Sequence, residues 1–375
     1  MKIDIDQEQQ VYRKNKSLLL CLHIDAWLLF GILLLLAASL AIVYSASGGD
    51  QAVMNRQAIR IGFALVLMVI FAQIPPHIIY IFTPWLFLMG ILMLIGVLLF
   101  GEVGKGAQRW LNLGPIRFQP SELMKLALPI TVAWLFAHSK FPPSLRRLLL
   151  GAFVIMITAG LIVVQPDLGT SLLIAMSGLF VLFFAGLPWK VIIASISATV
   201  LSAPVAWHFM HAYQKQRVMT FINPESDPLG SGYHIIQSKI AIGSGGIDGK
   251  GLLGSTQAHL DFLPESTTDF IFSVLAEEFG LIGVVILLFM YLLVIARGLY
   301  IASQAQDNFT RLIAASFMMT LFVYIFVNIS MVSGLLPVVG LPLPLMSYGG
   351  SSLVSLMISF GILMSIHTHK KLLTD

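Results

Sequence analysis

Residues 237–283 read QSKIAIGSGGIDGKGLLGSTQAHLDFLPESTTDFIFSVLAEEFGLIG. A glycine-rich polar stretch passes through Leu263-Pro264-Glu265 and Ser266-Thr267-Thr268 into a long apolar run with Asp269 at its mouth. Ser and Thr cap orphan helix N–H groups and a carboxylate suits the positive end of the helix dipole, so a helix is predicted with Asp269 in its first turn. An acid at the entrance of a membrane-spanning helix is a functional-site candidate. A plain helix cap accounts for the same residue. Glu277 is expected about 12 Å deeper along the same axis and rotated away by about 80°. That makes Glu277 and its neighbour Glu278 candidates for internal hydrogen bonding rather than for acting on the same atom as Asp269. Ser273, Ala276 and Gly280 share the Asp269 face, where small residues permit close packing.

The surrounding chain decides that this run spans a membrane. Of 375 residues, 57% are hydrophobic and only 11% charged, with mean hydropathy +0.89. A soluble domain carries about 25% charged residues. Apolar runs long enough for a ~30 Å core recur at 27–44, 58–74, 79–100, 122–137, 148–164, 169–186, 191–210, 270–296, 312–332 and 351–366. The expected fold is all-α, a polytopic membrane protein of about ten spans over 27–366. A leader (1–26) and a tail (367–375) lie on the cytoplasmic side, and a long extracytoplasmic loop (211–268) precedes the eighth span. The first run is longer than a signal-peptide core of ~7–15 residues, so it reads as retained even though Ser45-Ala46-Ser47 resembles a cleavage site.

Short-loop cations set the orientation. Arg13, Lys14, Lys16, Lys140, Arg146, Arg147, Lys190, Arg297, Arg311, Lys370 and Lys371 fall on the cytoplasmic side of this topology. Arg56, Lys105, Arg109, Arg117, Lys215, Arg217, Lys239 and Lys250 fall outside, mostly in longer loops. An outer basic surface suits an anionic lipid-linked substrate; contact with lipid headgroups is the alternative. The net charge of +4 gives no reason to invoke nucleic acid. Cys21 is the only cysteine, which rules out an intrachain disulfide, and His208 and His211 lack local carboxylate or Cys companions for zinc.

Other polar groups stand at predicted helix starts. Pro120-Ser121 opens a helix in which Glu122 and Lys125, three apart, share a face and form an expected ion pair. Asp167 in Gln165-Pro-Asp-Leu-Gly-Thr170 reads first as a cap, and Arg56 as an interfacial arginine. Residues 243–251, GSGGIDGKG, fail the phosphate-loop pattern and read more simply as a flexible linker. Pro337 to Ser352 reads as a re-entrant or capping loop.

Together KGAQRWLNLG, RFQPSE with Lys125, QPDLGTS, GYHIIQSKIAIGSGG, LPESTTDFIF, AEEFGLIG and PLPLMSYGGSS resemble the SEDS family of cell-wall polymerases along the whole chain. The short leader, PVVGLPLP and the ending SIHTHKKL are similar to its elongation branch rather than its septal branch. The resemblance implies a ten-span peptidoglycan glycosyltransferase of the bacterial inner membrane that polymerises lipid II and serves cell elongation. It implies Asp269 as the catalytic acid residue. Arg56, Arg109, Glu122, Lys125 and Asp167 match polar positions of the family's cavity, and Lys239 and Ser351 join them as substrate-binding or cavity candidates. The implied partners are lipid II, a class B penicillin-binding protein, other elongation-complex membrane proteins and membrane lipid. A divalent cation, magnesium or manganese, is a candidate to assist the basic side chains at the phosphates. A lipid II flippase or transporter, supported by Lys125, Glu277 and Glu278, and a non-catalytic scaffold are the rival functions.

The charge pattern makes residues 140–147 cytoplasmic, and 101–121 and 211–268 external. A cysteine placed at position 143 is expected to resist an impermeant reagent applied to sealed cells. Labelling from outside would invert the assignment.

Overall fold

The structure, a computed structural model, describes residues 22–104, 107–112, 117–139, 143–210, 212–223, 225, 230–260, 262–263 and 265–369. The expectations for the leader through Cys21, for Lys105, Lys140, His211 and Pro264, and for the tail from Lys370 lie outside these residues. In chain order the elements are α1 (Ala26–Ala46), α2 (Gln51–Ala72), α3 (Pro76–Phe100), β1 (Glu102–Gly104), β2 (Ala107–Asn112), β3 (Arg117–Phe118) and α4 (Pro120–Phe136). There follow α5 (Leu145–Val164), α6 (Leu168–Phe184), α7 (Trp189–Phe209), α8 (Ala212–Ile222), α9 (Ser231–Ser244), α10 (Thr256–His259), α11 (Ile271–Ser303), α12 (Asn308–Val332) and α13 (Ser351–Thr368).

Each predicted apolar run coincides with a helix. Among the described residues seven helices, α1, α2, α3, α5, α11, α12 and α13, are long and apolar enough to cross a membrane, and α6 is a shorter apolar helix. The chain is an all-α polytopic membrane protein. Its small antiparallel sheet, in the order β1-β2-β3, occupies the connection between α3 and α4. Helix starts follow local chemistry. Asp25 accepts from the Leu28 amide at 2.8 Å, Asp50 caps α2, Asp307 caps α12, and proline opens both α3 and α4.

Lipid is as apolar as the side chains facing it, so helix association rests on close packing and buried hydrogen bonds. Ser316 Oγ donates to the Ser177 carbonyl at 2.7 Å, and Gln165 Nε2 to the Leu94 carbonyl at 3.0 Å. Ser39 Oγ donates to the Met346 carbonyl at 2.8 Å. At the end of the bundle where α1 begins, Asp25 receives Arg297 Nη2 at 2.6 Å, and His367 Nδ1 lies 3.1 Å away. Burial works to raise the Asp25 carboxyl, but His367, Arg297 and the Leu28 amide outweigh it and hold the group well below the usual carboxylate range. Three helices, α1, α11 and α13, are thereby tied at one end.

The structure corrects the reading of α11 in three respects. The helix begins at Ile271 with Phe270 as its N-cap residue and no side-chain capping bond, so Asp269 sits in the preceding turn rather than inside the first turn. The helix is also broken at Gly280, whose φ of 61° and ψ of −159° are non-helical. Glu277 and Glu278 therefore belong to a short limb, 271–279, and are not buried deep along one continuous span. Finally, the glycine-rich residues 245–251 are not a flexible linker. Their backbone docks on the break. Lys250 and Gly251 amides donate to the Glu277 and Glu278 carbonyls at 3.0 and 2.8 Å. The Leu281 and Ile282 amides donate to the Gly246 and Ile247 carbonyls at 3.0 and 3.2 Å. The break strips helix carbonyls and amides of partners, and the loop restores them.

The side chains complete the brace. Glu277 is fully buried and accepts from Lys250 Nζ at 2.6 Å, Ser255 Oγ at 2.6 Å and the Thr256 amide at 3.0 Å. Its carboxylate thus sits at the positive end of α10. Glu278 accepts from Ser45 Oγ at the end of α1.

A Cβ at position 280 would lie 2.5 Å from the Gly249 amide nitrogen, in a backbone conformation that side chains rarely adopt. Gly280→Ala is therefore expected to cost about 3 kcal/mol or more, since strain and crowding add. A large fall in thermal midpoint or folded yield in detergent is the expected result; an unchanged midpoint would mean that the loop does not brace the break.

Candidate active site around Asp269

The segment entering α11 leaves regular structure inside the protein, so its carbonyls need partners other than a helix ladder. Three consecutive carbonyls find them. The Tyr348 amide donates to the Thr267 carbonyl at 2.8 Å, Ser347 Oγ to the Thr268 carbonyl at 2.6 Å, and Asn328 Nδ2 to the Asp269 carbonyl at 3.0 Å. Asn328, fully buried on α12, also donates to the Leu341 carbonyl at 2.6 Å. Ser347 Oγ in turn accepts from the Leu343 amide at 2.7 Å. The proline-rich connection before α13, read from sequence only as a capping or re-entrant loop, is the clamp on the TTDF stretch.

The Asp269 side chain faces the same connection. Gly340 has φ +76°, and a Cβ there would lie 3.5 Å from Asp269 Oδ2. A side chain at 340 would be strained by that backbone conformation and would touch the carboxylate.

Cations stand around this clamp. Arg56 Nε donates to the Tyr348 hydroxyl at 3.3 Å, and the Arg60 guanidinium lies 4.3 Å from the centre of the Tyr348 ring. Tyr348 thus carries a backbone grip on Thr267 and contacts to two guanidiniums, a donor and a π contact each with a distinct geometry. Ser351 opens α13 directly after Gly350, beside which Arg60 also lies. Lys239, exposed on α9, reaches over Gly334 just beyond the end of α12, and its neighbour Ser238 joins Ser273 Oγ at 2.8 Å.

Glu122 and Lys125 form the expected pair, Nζ to Oε1 at 2.8 Å, with both side chains nearly buried. Ser355 Oγ donates to the other Glu122 oxygen at 2.7 Å. Lys125 Nζ also lies 3.5 Å from the Tyr324 hydroxyl and 5.0 Å from that ring's centre. Asp167 caps α6 through the Thr170 amide at 3.3 Å and pairs with Arg109 Nε at 3.3 Å. Arg109 Nη2 donates to the Pro166 carbonyl at 3.0 Å, so β2 is stapled to the start of α6. Asp167 thus uses one oxygen for the cap and the other for Arg109.

Arg60, Tyr348, Asn328 and Tyr324 were not among the sequence-derived candidates. Arg60 had a signal, since it lies four residues after Arg56 on one helical face. Asn328, an amide inside an apolar run, had a weaker one. Nothing local marks Tyr324 or Tyr348. Among the described residues no group of three or more His, Cys, Asp or Glu side chains is gathered as a metal site. The carboxylates of Glu122, Asp167 and Glu277 are engaged by cations, so this donor set does not suit magnesium or manganese.

A family model described as cell cycle protein, for FtsW, RodA and SpoVE, matches residues 17–372. The chain belongs to this SEDS family. Peptidoglycan glycosyltransferase MrdB of Escherichia coli K12 is 54% identical over 353 residues, covering 94% of this chain and 95% of the relative. A probable peptidoglycan glycosyltransferase FtsW of Synechocystis is 38% identical, covering 91% of this chain and 86% of the relative. Among solved structures, a chain of a peptidoglycan synthase complex coordinating polymerization and crosslinking matches with TM-score 0.80 and 30% identity, covering 92% of this chain and 99% of that one. The rod shape determining protein RodA of Thermus thermophilus matches with TM-score 0.71 and 29% identity, covering 92% and 98%. The SEDS resemblance and the all-α polytopic fold expected from sequence are both borne out.

The Glu122–Lys125 pair of this SEDS protein is predicted to behave as one unit. Glu122→Gln or Lys125→Met alone leaves a buried charge uncompensated, a loss of about 3–5 kcal/mol. The double variant is expected to lose clearly less than the sum of the two, read as thermal midpoints of the purified protein. Additive losses would separate the two residues.

Proposed function

We propose that this protein is a peptidoglycan glycosyltransferase that polymerises lipid II at the outer face of the bacterial inner membrane, with ten spans and both termini cytoplasmic. The observation that carries the reading is the grip on three consecutive carbonyls, 267 to 269, which fixes the Asp269 backbone against a connection that Arg56 and Arg60 also contact. A transferase needs that rigidity. The acceptor sugar's 4-hydroxyl attacks the anomeric carbon of the donor while the bond to polyprenyl pyrophosphate breaks, with inversion. Asp269 takes the hydroxyl proton as general base, and the pyrophosphate leaves with the bonding electron pair. Arg56 and Lys125 stabilise the charge that develops on it, and Lys239 and Ser351 join them as substrate-binding residues. Arg109 and Asp167 hold β2 against the start of α6.

The transporter reading drew on Lys125, Glu277 and Glu278. Two of those three stand on the loop side of the Gly280 break, tied to Lys250, α10 and Ser45. What remains favours chemistry at one face over a polar path across the membrane. The likeness to a chain of a synthase complex supports a cross-linking partner, which we take to be a class B penicillin-binding protein with other elongation proteins.

Asp269→Asn tests the assignment. The clamp on residue 269 acts through its main-chain carbonyl, which Asn retains, so folding and partner binding are expected to stay near wild type. Loss of a general base typically costs ~10²–10⁴-fold, and polymer formation from lipid II by purified complexes is expected to fall by that much. Near-normal polymer would remove Asp269 from catalysis, and an unfolded variant would make it structural.

A further inference from the structure

A loop that lies in water turns its polar side chains outward and buries its apolar ones. Residues 247–253 do the reverse. Ile247, Leu252 and Leu253 are 65%, 50% and 43% exposed, while Lys250 reaches inward to the fully buried Glu277. Leu253 has φ +64°, a conformation that leucine rarely adopts, and its amide donates to Ser45 Oγ at 2.9 Å. In water that strained backbone would serve only to present an apolar side chain to solvent.

Helix lengths fix the depth of the segment. Asp25 caps α1 and pairs with Arg297, and such a charge pair at a helix end marks one membrane boundary. From Arg297 back to Ile282 the helix rises about 22 Å, which is short of the ~30 Å hydrocarbon core. The Ile282 amide donates to the Ile247 carbonyl at 3.2 Å, so Ile247 shares that depth. From Asp25 to Ser45, α1 rises about 30 Å, which sets the Leu253 amide at the opposite boundary. Two helices measured separately thus place the segment at the far edge of the core. Its apolar surface also continues onto the span, where Leu281, Ile282 and Val285 are exposed.

We infer that residues 247–253 are seated in the membrane, with Ile247, Leu252 and Leu253 entering the boundary between lipid headgroups and acyl chains. Asp248, exposed beside Ile247, keeps the segment at that boundary, where its carboxylate meets headgroups and water. The bilayer then covers the outer side of the brace on the Gly280 break. The limb 271–279 is held at a set depth by lipid as well as by hydrogen bonds.

The test uses the full chain carrying Cys21→Ser, in vesicles of phosphatidylethanolamine and phosphatidylglycerol. A nitroxide is attached at Ile247→Cys or Leu252→Cys. Leu292→Cys, exposed on α11, is the lipid reference, and Gln304→Cys, exposed just past its end, is the water reference. Relaxation by oxygen is compared with relaxation by a water-soluble nickel chelate. Because hydrocarbon admits an apolar gas and excludes a polar complex, the oxygen-to-nickel ratio is expected to be at least about threefold higher at 247 and 252 than at 304. A ratio equal to that at 304 puts the segment in water and overturns the inference. Protection from both reagents also overturns it, because protein rather than lipid would then cover the segment. Ile247→Cys touches the brace, so the unsubstituted protein is tested as well. A phospholipid with a photoactivatable diazirine on its acyl chain is expected to leave adducts on peptides containing 247–253. Adducts on α11 with none on those peptides overturn the inference.

Discussion

A chain that leaves helical structure within a membrane protein must find partners for every backbone group it exposes, because lipid supplies none. Around Asp269 that constraint organises the molecule. The Thr267, Thr268 and Asp269 carbonyls are met by Tyr348, Ser347 and Asn328, which come from α12 and from the connection before α13. Each of these donors has a second attachment. Asn328 holds Leu341, Ser347 holds Leu343, and Tyr348 carries the contacts of Arg56 and Arg60. The carboxylate is thereby placed by a network rather than by a helix cap.

The same constraint explains the far end of the short limb. A helix that stops at Gly280 and restarts needs four backbone partners, and residues 246–251 provide them. Glu277 then locks the loop by engaging Lys250 and the start of α10. The limb 271–279 is braced at both ends, by the clamp at Asp269 and by the loop at Gly280. That is a physical reason for so much glycine in this segment: two main chains approach more closely than side chains would permit.

Among the described residues, the buried carboxylates Asp25, Glu122, Asp167 and Glu277 are each committed to a cation. Asp25 with Arg297 ties helices at one end, Glu277 with Lys250 ties a loop, and Asp167 with Arg109 ties a strand to a helix. Such pairs stabilise by location and are costly to break singly. The Glu122–Lys125 pair lies beside a cavity between helices, with the Tyr324 hydroxyl 3.5 Å from its cation.

Much was legible in the sequence. Apolar runs and their lengths are local properties, so each predicted run became a helix, and Pro120 and Ser351 marked true helix starts. The Glu122–Lys125 pair was readable because helical spacing alone brings positions three apart together. The Asp167 cap was readable for the same reason. What hydropathy could not show was the break in α11, since residues 270–296 are apolar on both sides of Gly280 and only a docked loop makes the break favourable. It hid as well that Glu277 and Glu278 face that loop, that Asp269 precedes the helix, and that Tyr348 and Asn328 grip the backbone there. Those facts depend on contacts between residues dozens to hundreds of positions apart. Local propensity carries no term for them; they were decided by which distant donors could reach the carbonyls that the tertiary fold left open.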